Sequence, residues 1–525
     1  MRALLVVRNL ASAEPIGLLG LAAVLTRAGH QVRLAGGRDT ELAPVMDGFA
    51  PDLVGYSACT GEHRWLLALN RALKRRWRFT AVFGGPHPTF FPEMVEEEGV
   101  EAACRGEGEG AILDIARALD AGRPLDDIAN LWVKLPDGSV RKNPLRPLVA
   151  DLDALPFPDR ELRYAADRPS REYPVKSFLA SRGCPFRCSY CFNAGYAELY
   201  GPEWCRPRTR SVGNLLAEIA AVRRESRLEF VQFRESIFPW PREWLEEFAA
   251  RYPREVGLPF YCHVRADLLD ARRVELLARA GCVSVNMGIE CGDGAYRREV
   301  LGRSMSDEQI VEACRLLHAH GIRILADNMV ALPGAPPDAD WQTLRLNRRC
   351  RVDYPLAMIF QPYPGTELGR RAQALGLFDG SPERIDHNYY LRSPLVFPDA
   401  RAKRRAENLQ KFFAVLAEAP WLERIIRPLL DLAPNIVFMS IFRAWYIWCY
   451  TFRIVPHRLS PGELGELVRT LFGIYAKEAD NGVAEADHGH PGAGGDGLGG
   501  AGGGAVHRRL RLGEEAGAAA ARSAR

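Results

Sequence analysis

The strongest constraint on the fold is an alternation of short apolar runs with amphipathic segments, which runs through the chain twice. In the first series, residues 3–7, 31–34, 52–57, 80–83 and 100–103 read as strands. Between them, residues 16–28, 62–75, 91–98 and 110–121 have helical spacing. Strands separated by helices must run parallel, because the crossover returns the chain to the same sheet edge. The expected result is a doubly wound parallel sheet with its ligand site at the strands' carboxyl ends. The second series has strands at 175–180, 228–233, 260–264, 283–289, 323–331 and 355–360. Helices are expected at 212–224, 241–252, 271–280, 306–318 and 338–349. These six β/α units point to a partial (β/α)6 TIM-like barrel, again with its site at the carboxyl ends.

Proline-rich pieces, Asn143-Pro144-Leu145-Arg146-Pro147 and Leu155-Pro156-Phe157-Pro158-Asp159, lie between the two series and favour extended chain. The expected organisation is a first domain at 1–125, a linker at 126–170, a barrel domain at 171–380, a helical region at 381–476 and a tail at 477–525. A length of 525 residues accommodates two or three domains. The net charge of +4 is spread along the chain and gives no basic patch for nucleic acid. Twelve cysteines without a secretory signal point to a reducing cytoplasm. The apolar start stops at Arg8-Asn9 with no small-residue cleavage pattern, so it reads as a first strand.

Ser181-Arg182-Gly183-Cys184-Pro185-Phe186-Arg187-Cys188-Ser189-Tyr190-Cys191 follows the first strand of the second series. It places three cysteines in C-x3-C-x2-C spacing at a strand end. Thiolates suit iron–sulfur clusters and zinc. A structural zinc site closes with four ligands in paired spacings. No second C-x2-C and no H-x3-H follows, and Cys205 stands alone. Three close thiolates can hold three irons of a four-iron cluster and leave the fourth open to a substrate.

At these residues the chain resembles the radical S-adenosylmethionine (SAM) superfamily, whose cysteine motif carries an aromatic residue before its last cysteine. Tyr190 fills that place. The resemblance implies that Cys184, Cys188 and Cys191 hold a [4Fe–4S] cluster whose open iron chelates SAM. One electron would then give methionine and a 5′-deoxyadenosyl radical. Tyr190, Arg265 and Glu290 are the implied SAM contacts: Glu290 to the ribose or amino group, Arg265 to the carboxylate. Arg234, Glu235, Asp267 and Asn328 also stand at strand ends, and Arg234, Asp267 and Asn328 would serve as readily in surface ion pairs or turns.

Three strand-end loops of the first series stand out: Ser57-Ala58-Cys59-Thr60, Gly84-Gly85-Pro86-His87-Pro88-Thr89 and Arg105-Gly106-Glu107-Gly108-Glu109. Together they resemble the cobalamin-binding domain that precedes the radical SAM domain in a large subfamily. The resemblance implies base-off cobalamin between the domains, contacted by Ser57, Thr60, Gly84, Gly85, His87, Thr89, Gly106 and Glu107. Cobalamin mutases carry Asp-x-His-x-x-Gly, but residues 8–15 here contain no histidine. His87 reads as a loop hydrogen-bonder rather than a cobalt ligand.

The implied family is the cobalamin-dependent (class B) radical SAM enzymes, chiefly methyltransferases. Their activity moves a methyl group from SAM through methylcobalamin to an unactivated carbon or phosphinate phosphorus of a small molecule, often in secondary metabolism such as antibiotic biosynthesis. A reductant such as flavodoxin or ferredoxin is implied. A cyclase or rearrangement enzyme, or a non-catalytic cobalamin- or redox-responsive protein, would use the same parts.

Residues 402–419 and 464–475 read as helices, and 422–452 is strongly apolar. Arg424, Arg427, Asp431, Asn435 and Arg443 interrupt it before it reaches the ~18 apolar residues of a spanning helix. Helices that cap the barrel or line a substrate pocket are the first reading, and a membrane-surface helix handling a lipid-like substrate the second. From about residue 480 the Gly/Ala-rich chain is expected to be disordered.

Overall fold

Both series of apolar runs form parallel sheets whose strands are buried on both faces, which is why the runs are continuous rather than alternating. The structure is a computed structural model that describes residues 1–8, 10, 14–239, 241–386 and 388–459. The expected helix at 464–475 and the Gly/Ala-rich tail lie outside the described residues.

The first sheet contains β1 (Arg2–Val7), β2 (Gln31–Gly36), β3 (Leu53–Ser57), β4 (Thr80–Gly84) and β5 (Ala102–Cys104). Two more strands, β6 (Leu131–Lys134) and β7 (Val140–Lys142), extend it. The order is β2-β1-β3-β4-β5-β6-β7. β1 pairs in parallel with β2 on one side and β3 on the other, so the winding reverses beside β1. Adjacent loops diverge at such a point and leave a crevice at the carboxyl ends. β6 and β7 pair antiparallel, so part of the stretch read as linker belongs to the sheet. The signal lay in the turn Asp137-Gly138-Ser139, where Gly138 has φ +84°.

The cysteine loop is bracketed by β8 (Val175–Phe178) and a two-residue ribbon of β9 (Ser181–Arg182) with β10 (Arg208–Thr209). The second sheet continues with β11 (Phe230–Phe233), β12 (Phe260–Val264), β13 (Cys282–Glu290), β14 (Arg323–Val330) and β15 (Tyr354–Ile359). Its order is β15-β14-β13-β12-β11-β8, all parallel, so the barrel is open between β8 and β15. The bare edge of β8 is covered by side chains. Its Ser177 N–H donates to Glu14 Oε2 at 2.7 Å, and Arg160 Nη2 donates to the Ser177 carbonyl at 2.7 Å. An unpaired edge would otherwise invite another strand.

The outer face of this sheet packs under its helices through residues such as Phe178, Val231, Phe260 and Val285. The lumen is closed from the C-terminal region. Phe442, Cys449, Ile454 and Val455 pack against Val175, Phe230, Tyr261, Leu325, Tyr354 and Leu356, which sit near the strands' amino ends. Gln232 Nε2 also donates to the Tyr450 hydroxyl at 2.9 Å. Helices Ala400–Glu418 and Ile436–Cys449 therefore cap and plug the barrel, as the first reading expected. No helix among the described residues is long and apolar enough to cross a membrane.

Candidate active site

Gly183 sets the entry to the cysteine loop. It has φ +97°, and a Cβ there would stand 2.7 Å from the Trp204 carbonyl oxygen. The loop is tied to the barrel on both sides: Ser189 N–H donates to the Leu301 carbonyl at 3.2 Å, and Leu368 N–H to the Ser189 carbonyl at 2.9 Å. Cys184 and Cys188 are buried, Cys191 is half-buried, and all three thiols are free. Cys191 is the N-cap of helix Phe192–Tyr200, and Asn193 Nδ2 lies 3.6 Å from its sulfur. A helix N-terminus favours a thiolate, but burial outweighs it here and raises the Cys191 thiol above its ordinary value. Arg265 Nη1 stands 3.4 Å from Cys188 Sγ, and Arg303 Nη1 4.0 Å from it. Burial pushes the Cys184 thiol up to about 11. Among the described residues no three His, Cys, Asp or Glu groups close round a single metal ion. Thiolates of a four-iron cluster each take a different iron and stand further apart than ligands of one ion.

Tyr190 and Glu290 meet beside this loop. The Tyr190 hydroxyl donates to Glu290 Oε1 at 2.9 Å and accepts from Arg303 Nη1 at 3.1 Å. Glu290 ends β13 at φ +67°, where the register with β14 shifts. A Cβ on Gly288 would stand 2.2 Å from Glu290 Oε1, so glycine there makes room for the carboxylate. Burial raises Glu290 above the ordinary carboxyl range, against the pull of Arg303, Tyr190 and Arg265. Arg265 stacks 3.6 Å over the Phe186 ring and pairs with Asp267 at 2.9 and 2.8 Å. Arg303, which the sequence reading passed over, connects Tyr190, Glu290 and the Gly288 carbonyl. It lies past the end of β13 on no recognisable motif, so only the fold brings it here. Asn328 is fully buried and hydrogen-bonds the Ala326 and Leu356 carbonyls and Asn347, a packing role.

The carboxyl ends of both sheets face one cavity of about 450 Å³. Ser57, Gly84, Gly85, Gly106 and Glu107 line it from the first sheet. Arg182, Gly183, Asn193, Trp204, Arg234 and Glu235 line it from the second domain. Three residues expected here, Thr60, His87 and Thr89, stand behind the wall. Thr60 Oγ1 is 3.0 Å from His87 Nδ1, and His87 stacks on His63 at 3.8 Å. Thr89 Oγ1 donates to the Gly85 carbonyl at 2.8 Å and accepts from Gly106 N–H at 3.0 Å, which joins two of the glycine loops. Burial holds His87 down at about 3, so it is neutral.

Glu107 bridges the domains. It accepts from Arg208 at 3.0 and 2.8 Å, from Arg182 at 3.2 Å and from the Val149 N–H at 2.7 Å. Burial alone would raise its carboxyl, but these partners outweigh burial and hold it below the ordinary range. Glu235 is the opposite case. It is 4% exposed, and its closest donor is the Ala180 N–H at 3.4 Å. Burial pushes its carboxyl up to about 8, so it is largely protonated at neutral pH. Arg234 beside it is exposed; its N–H donates to the Phe178 carbonyl at 3.0 Å, and its guanidinium has no hydrogen-bond or ion-pair partner among the described residues.

Two family models match the chain: the B12 binding domain over residues 4–116 and the radical SAM superfamily over residues 178–346. An uncharacterized methyltransferase of Pyrococcus horikoshii is 28% identical over 376 residues, covering 69% of this chain and 79% of that protein. The anaerobic magnesium-protoporphyrin IX monomethyl ester cyclase of Rubrivivax gelatinosus is 25% identical over 382 residues, 69% of this chain and 66% of that protein. The solved structure of OxsB, a cobalamin-dependent SAM radical enzyme with aqua-cobalamin and SAM bound, aligns at TM-score 0.65 and 16% identity, over 86% of this chain and 71% of that one. The chain belongs to the cobalamin-dependent radical SAM enzymes. It stands with the methyltransferases of that family, and its cofactors are a [4Fe–4S] cluster, SAM and cobalamin.

The residues present fit these groups. Three free thiols share one loop, and two guanidinium groups from outside it stand beside Cys188. On the cavity wall, Glu109 Oε2, Trp204 Nε1 and Glu235 Oε1 are buried polar atoms without a partner. A buried polar atom left so costs about 1–3 kcal/mol, which a hydrogen-bonding ligand recovers.

Proposed function

We propose that this enzyme transfers a methyl group from SAM to an unactivated carbon, or a phosphinate phosphorus, of a small molecule of secondary metabolism. The cavity between the carboxyl ends of both sheets carries this reading, because one substrate there reaches both domains. When bound, the cluster supplies the electron that splits SAM, and cobalamin supplies the methyl carrier.

Cys184, Cys188 and Cys191 hold the cluster, and Arg265 and Arg303 set the charge around Cys188. Such outer donors tune a cluster's potential. Glu290, fixed by Tyr190 and Arg303, takes the polar groups of SAM together with Arg265. Ser57, Gly84, Gly85 and Gly106 let the cobalamin approach the backbone closely. Thr60, His87 and Thr89 hold those loops from behind, and Glu107 fixes the facing domain. Glu235, protonated at neutral pH, donates a hydrogen bond into the cavity. Arg234 offers its unpaired guanidinium to an acidic group of the substrate. A flavodoxin or ferredoxin supplies electrons in a reducing cytoplasm.

Oxidative ring closure is the second reading, favoured by the likeness to the Rubrivivax cyclase. Methyl-deuterated SAM separates the two in an anaerobic incubation with small-molecule extracts, followed by mass spectrometry. Methyl transfer yields a product carrying the deuterated methyl group. Ring closure yields a product that has lost hydrogen and carries no label.

A further inference from the structure

We infer that the outward face of the C-terminal helical region seats the protein on an anionic lipid surface. Helix Ile436–Cys449 has apolar side chains on both sides. Phe438, Phe442 and Cys449 turn inward against the barrel and helix Ala400–Glu418. Val437, Ile441, Ala444 and Trp448, with Phe452 in the following turn, are exposed. Their spacing of four, three, four and four residues places them along one face of a helix. Val437 is 60% exposed and Trp448 52%. On the preceding segments Trp421 is 72% and Ile425 58% exposed.

Among the described residues, eight of the twelve large apolar side chains that stand exposed fall between residues 421 and 452. That concentration differs from the scattered exposure of an ordinary surface and marks an interaction face. Charge selects the occupant. Residues 400–459 hold ten Lys and Arg against four Asp and Glu, a balance of +6. The whole chain carries +4, so the remaining residues stand at −2. A second copy would bring two segments of the same positive sign together, and like charges oppose association. An anionic bilayer meets both features, since tryptophan favours the headgroup level and basic side chains favour the anionic leaflet. At 14 residues the helix lies on such a surface and does not cross it. The cavity is lined by residues between Leu5 and Ser236, so a seat on residues 421–452 leaves it open.

The test is flotation of the full chain with vesicles of phosphatidylcholine and phosphatidylglycerol, and with phosphatidylcholine alone. Binding is expected with the mixed vesicles and about tenfold weaker with the neutral ones, as a few basic groups near the surface imply. The double variant V437E/I441E is expected to lose binding while its circular dichroism and melting stay unchanged, since both residues face solvent. Brominated lipid is expected to quench wild-type tryptophan fluorescence, and W421F/W448F to remove most of that quenching. Absence of flotation overturns the inference, as does flotation that V437E/I441E leaves intact. Two other results also overturn it: a solution dimer that this variant dissociates, which gives the face to a second copy, or a variant that melts earlier without lipid, which gives the face to the chain's own residues 460–525.

Discussion

Glu235 and Gly288 make the sharpest demands of any single residues here. The Glu235 carboxyl is raised to about 8, chiefly by burial. A raised acid binds its proton more tightly in the folded chain. Its stabilising contribution is therefore complete below the unfolded value near 4.5 and is lost as pH climbs through about 8. Glu235→Gln should stabilise the protein free of cofactors by about 2 kcal/mol at alkaline pH and leave it unchanged at acid pH. Thermal melts across that range check it; a variant that follows the wild-type curve at alkaline pH contradicts it. Gly288→Ala should displace the Glu290 carboxylate, because the new methyl would sit 2.2 Å from its Oε1. SAM affinity should fall about tenfold or more, the equivalent of ~1.4 kcal/mol, in equilibrium binding to the cluster-loaded protein. At this scale the placement of the cysteines and Glu290 at strand ends was legible because local motifs carry them. Arg303 was not, because its role depends on a turn that brings it back under β13.

The elements repeat the contrast between local and distant causes. Parallel strands buried on both faces leave continuous apolar runs, so both sheets could be read before any pairing was known. β6 and β7 were missed because they are short, antiparallel and set among prolines, where extended linker and edge strand look alike. The barrel plug was legible only as an apolar stretch, since nothing local says which side of helix Ile436–Cys449 enters the lumen. Phe442 is the check. It is buried against the amino ends of the strands and 5.0 Å from the Tyr390 ring. Phe442→Ala should cost about 3–4 kcal/mol in denaturant unfolding. A loss below about 1 kcal/mol would mean that the helix is peripheral to the barrel.

At the scale of the whole molecule, two sheets must present their carboxyl ends to one cavity, and Glu107 with Arg182 and Arg208 fixes that relation. Glu107→Gln removes the charge from two partly buried ion pairs and should weaken cobalamin binding about tenfold, read from the absorbance of the bound cofactor. Unchanged affinity would show that the bridge has no part in shaping the cavity. In the proposed reaction both cofactor sites serve one methyl transfer. It is tested most directly by incubating the protein anaerobically with cluster, reductant, methyl-deuterated SAM and substrate-bearing extract, with and without cobalamin, and measuring both SAM-derived products. S-adenosylhomocysteine and 5′-deoxyadenosine are expected together when cobalamin is present, and S-adenosylhomocysteine is expected to disappear when it is withheld. Formation of 5′-deoxyadenosine alone, with cluster and cobalamin both bound, would contradict it.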